Sequence, residues 1–282
     1  MRILITGSSG QLGVEVARQL SAHHDIIGID LVEGVWTRHR VNIVDREAVR
    51  SLMKGIDAVI HIASLHAPHL AIESLQAFID VNITGTLNLL EAATDREVRR
   101  FIYTSTTSLY GFALITHEQA VWVTEELTPQ PRDIYDITKS AAEELCQHFA
   151  REYGLPMICL RTSRFFPEAV PLMAFYRLYR GVDVRDVAAV HALAVTNQEI
   201  LFDVFNISAQ SPFEQSDLPP LLHDAHSVLR SRVPEALSFF TQQGWTLPKS
   251  IDRVYVIERA RRQLGYQPRF NFQEYLRAVK RV

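Results

Sequence analysis

The first thirteen residues, Met1-Arg-Ile-Leu-Ile-Thr-Gly7-Ser-Ser-Gly10-Gln-Leu-Gly13, constrain the fold more than any other stretch of this chain. A short apolar run enters a turn with glycine at every third position, and a helical pattern follows over residues 14–20. A helix that starts directly after a strand aims its free N–H groups and positive dipole end at the turn. This arrangement suits a dinucleotide pyrophosphate. Gly7 permits the tight turn, Gly10 lets phosphate approach the backbone, and Gly13 lets helix and strand pack closely. Gln11 and Leu12, between the last two glycines, belong to the same expected contact. A second strand-like run closes on Asp30, placed to accept hydrogen bonds from ribose hydroxyls and to repel a 2′-phosphate. Residues 31–33 hold no arginine to welcome such a phosphate, so NAD is expected over NADP.

The chain has 282 residues and a formal net charge of −3, which offers no basic field to a polyanion; nucleic-acid binding is not expected. Its two cysteines, Cys146 and Cys159, fall in a helical pattern and an apolar strand and read as buried thiols. Arg2 leads straight into the first strand, and no apolar run approaches the roughly 18–20 residues that span a bilayer. The expectation is a cytoplasmic protein without a membrane partner.

Strand-like runs at residues 3–6, 26–29, 58–62, 101–104, 157–160 and 202–207 alternate with helical patterns at 46–53, 78–93, 140–152 and 187–195. Such alternation predicts an α/β fold, a Rossmann-type doubly wound parallel sheet. After residue 208 the pattern changes to short helices punctuated by proline. The predicted organisation is a dinucleotide-binding domain of residues 1–162 and 184–208, with a small substrate-binding lobe from 163–183 and 209–282.

In a sheet of this kind ligands bind beyond the carboxyl ends of the strands. The run ending in Tyr103-Thr-Ser105-Thr106 finishes at such a place, and Tyr135-Asp-Ile-Thr-Lys139 opens a later helix. Tyr135 and Lys139, four residues apart, share one helical face. A nearby ammonium favours the phenolate and is expected to draw the tyrosine pKa down from about 10. Tyr135 can then exchange a proton with a substrate hydroxyl while hydride leaves the same carbon, with Thr106 holding the oxygen in line.

These residues resemble the extended short-chain dehydrogenase/reductases, the NAD-dependent epimerase/dehydratase group, over nearly the whole chain. The glycine spacing, His61-Ile-Ala63-Ser64, Val81-Asn82-Ile-Thr-Gly-Thr, the set Thr106, Tyr135 and Lys139, Val184-Arg-Asp186 and Leu264-Gly-Tyr-Gln-Pro268 carry the resemblance. It implies that Lys139 also bonds the nicotinamide ribose, that Ala63 passes that ribose, and that Asn82 belongs to the cofactor site. It places Asn42 and Ile43 beside the adenine, with Asn42 standing where the family usually has Asp. It also implies a homodimer built on the helix bearing Tyr135.

Departures from the family bear on the substrate. Thr107-Ser108 follow the catalytic threonine where nucleotide-sugar dehydratases carry acids, which disfavours dehydration. The segment after Arg161-Thr-Ser163-Arg164-Phe-Phe-Pro167-Glu168 is short, a compact form similar to the uronate dehydrogenases. Arg164 and Arg177 are the candidates to clamp a sugar-acid carboxylate, and His66 is expected beside the substrate. His61, His66 and His69 lack a joining thiolate or carboxylate, so no metal is expected. Glu125 and Glu126 read as solvated charges.

The leading expectation is an NAD-dependent oxidoreductase acting at a carbohydrate hydroxyl carbon, of the nucleotide-sugar epimerase or reductase type. The first alternative is a dehydrogenase of a free sugar or sugar acid. The second is a non-catalytic NAD-binding regulatory protein.

Overall fold

The computed structural model describes residues 1–279, so the last three residues of the expected substrate lobe lie outside the described residues. Seven parallel strands form the central sheet: β1 (Arg2–Thr6), β2 (Asp25–Asp30), β3 (Thr37–Arg40), β4 (Ala58–His61), β5 (Arg100–Thr106), β7 (Met157–Thr162) and β8 (Phe202–Ile207). Their spatial order is β3-β2-β1-β4-β5-β7-β8, so the winding reverses between β1 and β4. A crevice at that reversal is where such sheets take ligands. The remaining strands, β6 (Val121–Val123) and β9 (Arg253–Tyr255), pair in parallel as a separate ribbon.

Ile3, Leu4 and Ile5 of β1 are completely buried, because helices cover both faces of the sheet. One face packs against α1 (Gln11–Leu20), with α7 (Val184–Thr196) and α11 (Glu258–Leu264) beside it. The other packs against α2 (Arg46–Leu52), α4 (Gly85–Asp95) and α5 (Ile134–Tyr153). Each fully buried leucine or isoleucine contributes about 1.5–3 kcal/mol, so the sheet centre is the rigid platform on which the site stands. Cys146 and Cys159 lie in this second core as free thiols.

The helical pattern read over residues 78–93 is broken. A short α3 (Leu75–Ile79) runs into a π turn over Asp80–Thr84 before α4 begins. The wider turn rotates Asn82 inward, where it is buried. β3 was not expected: its Thr-Arg-His-Arg sequence is polar because it is an exposed edge strand, which leaves no apolar run.

A third apolar cluster gathers residues 174–179 with residues from 213 to 276. It draws on α6 (Val170–Tyr176), α8 (Leu218–His223), α9 (Ala225–Arg232), α10 (Pro234–Gln242) and α12 (Phe272–Val279). Among the described residues no helix is long and apolar enough to cross a membrane.

Candidate active site

The carboxyl ends of β1, β2, β4, β5 and β7 open on one cavity of about 730 Å³. Its first wall is the glycine-rich turn. Gly7 has φ +72°, and a Cβ on it would meet the Ala63 backbone nitrogen at 2.9 Å. Gly10 caps α1 without a side-chain acceptor, so the first-turn N–H groups at Gln11 and Leu12 stay open to the cavity. Gly13 sits one layer behind: a Cβ there would fall 2.0 Å from the Gly7 carbonyl oxygen, so its role is close packing of α1 on the turn, and it does not line the cavity.

Asp30 lines the cavity with a carboxylate oriented by three backbone donors, Ser9 at 2.9 Å, Leu31 at 2.7 Å and Val32 at 3.2 Å. Arg40, which pairs with Asp30 in the β2–β3 ladder, donates instead to the Leu31 carbonyl and does not line the cavity. Asn42 and Ile43 form the neighbouring wall. The Asn42 side-chain oxygen accepts from the Val44 N–H, and Asn88 of α4 holds the Ile43 and Val44 carbonyls from behind. Ala63 lines the cavity at the tip of β4. Open N–H groups at a helix start, a carboxylate at the end of β2 and an apolar wall together fit a dinucleotide.

Asn82 does not line the cavity, which corrects its expected place in the cofactor site. Its carboxamide is spent on Leu65 N–H (2.8 Å), Leu65 carbonyl (2.9 Å) and the Thr138 hydroxyl (3.0 Å). It therefore pins the loop after β4 to α5.

Tyr135, Lys139 and Thr106 meet in the cavity. Asp133 caps α5 by accepting from the Asp136 N–H, which starts the helix just before Tyr135. The Tyr135 hydroxyl shares a hydrogen bond with the Thr106 side chain. Burial pushes the phenol up to about 12, against the pull of that bond. The expected downward shift is thus reversed, and the reason is local. The Lys139 ammonium donates to the Thr104 carbonyl at 2.6 Å and lies 4.1 Å from the Tyr103 ring centroid, so it is held to β5. Burial in turn brings Lys139 down to about 8, opposed by the charge of Glu143.

His66 lines the cavity within reach of the Lys139 charge, with its ring stacked on Phe166 at 5.1 Å. Burial, together with neighbouring His69, lowers its pKa. His61 turns the other way, into the core, so the three histidines do not converge. Arg164 lines the cavity while paired with Glu168. Arg177 does not: it is buried, ion-paired to Asp183 at 2.9 Å and bonded to the Phe270 carbonyl at 2.7 Å. The C-terminal cap of α6 points it inward, and the expected clamp is corrected to a brace of the fold. Glu125 is likewise not solvated; it accepts from the Asn206 N–H at 2.8 Å, and burial raises its pKa.

Arg132, Arg180, Arg253 and Tyr255 line the cavity without having been singled out from sequence. Arg132 pairs with Asp136 and Arg253 with Asp252. Arg180 stacks over Tyr176 at 4.8 Å and has no acidic partner among the described residues. The aromatic-arginine run Phe175-Tyr-Arg-Leu-Tyr-Arg180 was the available signal, pointing three residues beyond Arg177.

Residues 3–169, more than half of the chain, match the NAD dependent epimerase/dehydratase family, and the chain belongs to it. NAD is the cofactor that this family uses. The chain is 28% identical over 202 residues to an uncharacterized UDP-glucose epimerase YtcB of Bacillus subtilis, covering 64% of this chain and 62% of that protein. It is 26% identical over 174 residues to a uronate dehydrogenase of Pseudomonas syringae pv. tomato, covering 59% of this chain and 60% of that one. The matches thus span somewhat under two thirds of these relatives' length. Among solved structures, the fold resembles the UDP-glucose 4-epimerase of Thermotoga maritima, with a TM-score of 0.74, 20% identity and 100% and 99% of the two chains covered.

Proposed function

We propose that this protein is an NAD-dependent oxidoreductase that transfers hydride at a hydroxyl-bearing carbon of an anionic carbohydrate. The polarity of the cavity carries this reading. Asp30 is the one carboxylate on its wall among the described residues, while Arg132, Arg164, Arg180 and Arg253 gather at the other end, with Arg180 free of any acid. A guanidinium takes a diphosphate or a carboxylate bidentately. NAD, when bound, supplies the carbon that accepts or returns the hydride. Tyr135 moves the proton at the substrate oxygen, Thr106 holds that oxygen, and Lys139 supports the phenolate and the ribose. In this reading residues 1–162 and 184–208 hold the cofactor, and residues 163–183 with the chain after 209 cover the substrate. The protein would act as a cytoplasmic homodimer, for which exposed Leu75, Ile79 and Ile137 on α3 and α5 supply an apolar surface; light scattering tests this.

Two substrates fit. A nucleotide-sugar epimerase interconverts isomers without net NADH, in keeping with the relatives named for UDP-glucose. The second reading, net oxidation of a free sugar acid, is supported by the short stretch between β7 and α7, which holds only α6 to cover a substrate. A panel of UDP-hexoses and free uronates, followed for NADH and for product stereochemistry, separates them. Tyr135→Phe is expected to lose 10²–10⁴-fold in turnover. Arg180→Gln is expected to raise KM roughly tenfold or more for the anionic substrate. Full turnover by Tyr135→Phe, or an unchanged KM in Arg180→Gln, would sink the assignment.

A further inference from the structure

His61 is buried at the end of β4, and neither ring nitrogen reaches the cavity. Its hydrogen bonds can be assigned one by one. The Thr6 hydroxyl oxygen accepts from the Ile62 and Ala63 N–H groups, both at 3.0 Å, so both its lone pairs are used. Its proton therefore goes to His61 Nδ1, 2.8 Å away. On the other side the Thr86 hydroxyl donates to the Asn82 carbonyl at 2.7 Å. Its oxygen then accepts from His61 Nε2–H at 2.9 Å. The ring is fixed as the neutral Nε2–H tautomer, surrounded by Phe101, Tyr103 and the Lys139 charge.

The chain of bonds continues from Asn82. Its side chain clamps both the N–H and the carbonyl of Leu65 and donates to the Thr138 hydroxyl, which donates to the Tyr135 carbonyl at 3.0 Å. Thr6, His61, Asn82, Thr86 and Thr138 are all buried. One unbroken path thus links the residue before Gly7, the β4 tip, the loop that carries His66, and the first turn of the catalytic helix. The π turn makes this possible by facing Asn82 inward; π turns inside helices recur at functional sites.

We propose that His61 is a positioning residue: a neutral relay that locks the glycine-rich turn, the nicotinamide-side wall at Ala63 and the Tyr135 end of α5 into one arrangement. It touches neither cofactor nor substrate and acts through Thr6 and Thr86. A neutral imidazole accepts on one edge and donates on the other at fixed spacing, which is what this position asks of its side chain. The proposal rests on the cavity being the NAD site.

Thr86→Val keeps the branched volume and removes the relay's hydroxyl; Thr86→Ser keeps the hydroxyl and loses a methyl. NAD binding by titration calorimetry, without any substrate, is expected to weaken about tenfold in Thr86→Val and to return towards wild type in Thr86→Ser. Hydrogen exchange is expected to quicken at Ile62, Ala63, Leu65 and Thr138 in Thr86→Val while β5 amides keep their protection. A purely packing role predicts the opposite order, with the smaller serine worse. In the wild type, nitrogen-15 NMR is expected to show His61 protonated on Nε2 and unresponsive over the range where an exposed histidine titrates. Wild-type affinity in Thr86→Val, or a His61 that titrates or carries its proton on Nδ1, would overturn the proposal. Failure of the wild type to bind NAD would instead remove the cofactor reading, leaving the exchange and NMR results to decide the relay.

Discussion

Tyr135 and Lys139 are both pushed by burial towards their uncharged forms, the phenol up to about 12 and the ammonium down to about 8. The neutral phenol is the proton donor that carbonyl reduction needs, whereas oxidation needs the phenolate, which becomes more accessible as pH rises. In the proposed mechanism the support for that phenolate is the Lys139 charge, which is lost above about pH 8. The oxidation rate should therefore climb with pH along a limb that breaks to a plateau near 8, where each further gain in phenolate is offset by loss of the Lys139 charge, read from kcat against pH. Lys139→Arg retains a charge at that pH and should displace the break, whatever its rate. A break that stays put in the variant belongs to another group. The pairing of these two residues was legible from their spacing, because a helix brings positions four apart onto one face. The direction of the Tyr135 shift was not, because burial is a property of the folded surroundings. Nor was the choice between Arg177 and Arg180: at the end of a short helix, three residues of chain decide whether a guanidinium meets Asp183 or the cavity.

At the scale of elements, the glycine turn and α1 behave as one unit, because Gly13 presses α1 directly on the Gly7 carbonyl. Gly13→Ala places a methyl where only backbone can yield, and overpacking of this kind costs about 1–3 kcal/mol. It should lower the melting temperature and, if the displaced turn is the pyrophosphate wall of the proposed NAD site, weaken NAD binding together with it. Gly154, at φ +68° after α5 with nothing within 4 Å of its missing Cβ, provides the contrast. Gly154→Ala should cost about 1 kcal/mol through backbone strain and leave NAD affinity alone. Equal affinity losses in the two variants would contradict a local role for Gly13. The six apolar strands were readable because five are buried on both faces and the edge strand β8 still buries its second half. β3 was hidden by its polar edge position, and the π turn because one extra residue barely disturbs a helical period. The β6–β9 ribbon was beyond local pattern altogether: it joins segments some 130 residues apart, yet it delivers Arg253 and Tyr255 to the cavity.

Across the whole molecule, two buried histidines tie the stability of the sheet to pH. His61 is held neutral by burial, with its pKa down at about 3, and His191 by the same cause at about 4. His191 donates from Nδ1 to the Val187 carbonyl at 2.7 Å and accepts from the Thr104 hydroxyl at 2.8 Å, so it ties α7 to β5 as His61 ties β4 to α4. Both pKa values are depressed relative to the unfolded value of about 6.5, so the unfolded chain takes up these two protons first as pH falls. The stability they confer is complete above about 6.5 and drains as pH drops towards 4, at about 1.4 kcal/mol per pH unit for each ring. Asp183, lowered chiefly through its bonds to Arg185 against the cost of burial, loses stability in the same direction. Asp186 and Glu125, raised by burial, oppose it, but only in the more acidic range where carboxyls take up protons. Between neutrality and about pH 5.5 these two rings lead, with His66 and His24, also lowered by burial, acting in the same direction, so a loss of at least about 2–3 kcal/mol is expected, several degrees in melting temperature for a chain of this size. Thermal melts at the two pH values, at fixed ionic strength and without NAD, measure it. A melting temperature that does not move would mean that the two rings titrate in the folded protein as they do in the unfolded chain, and that the hydrogen bonds assigned to them here do not hold them neutral.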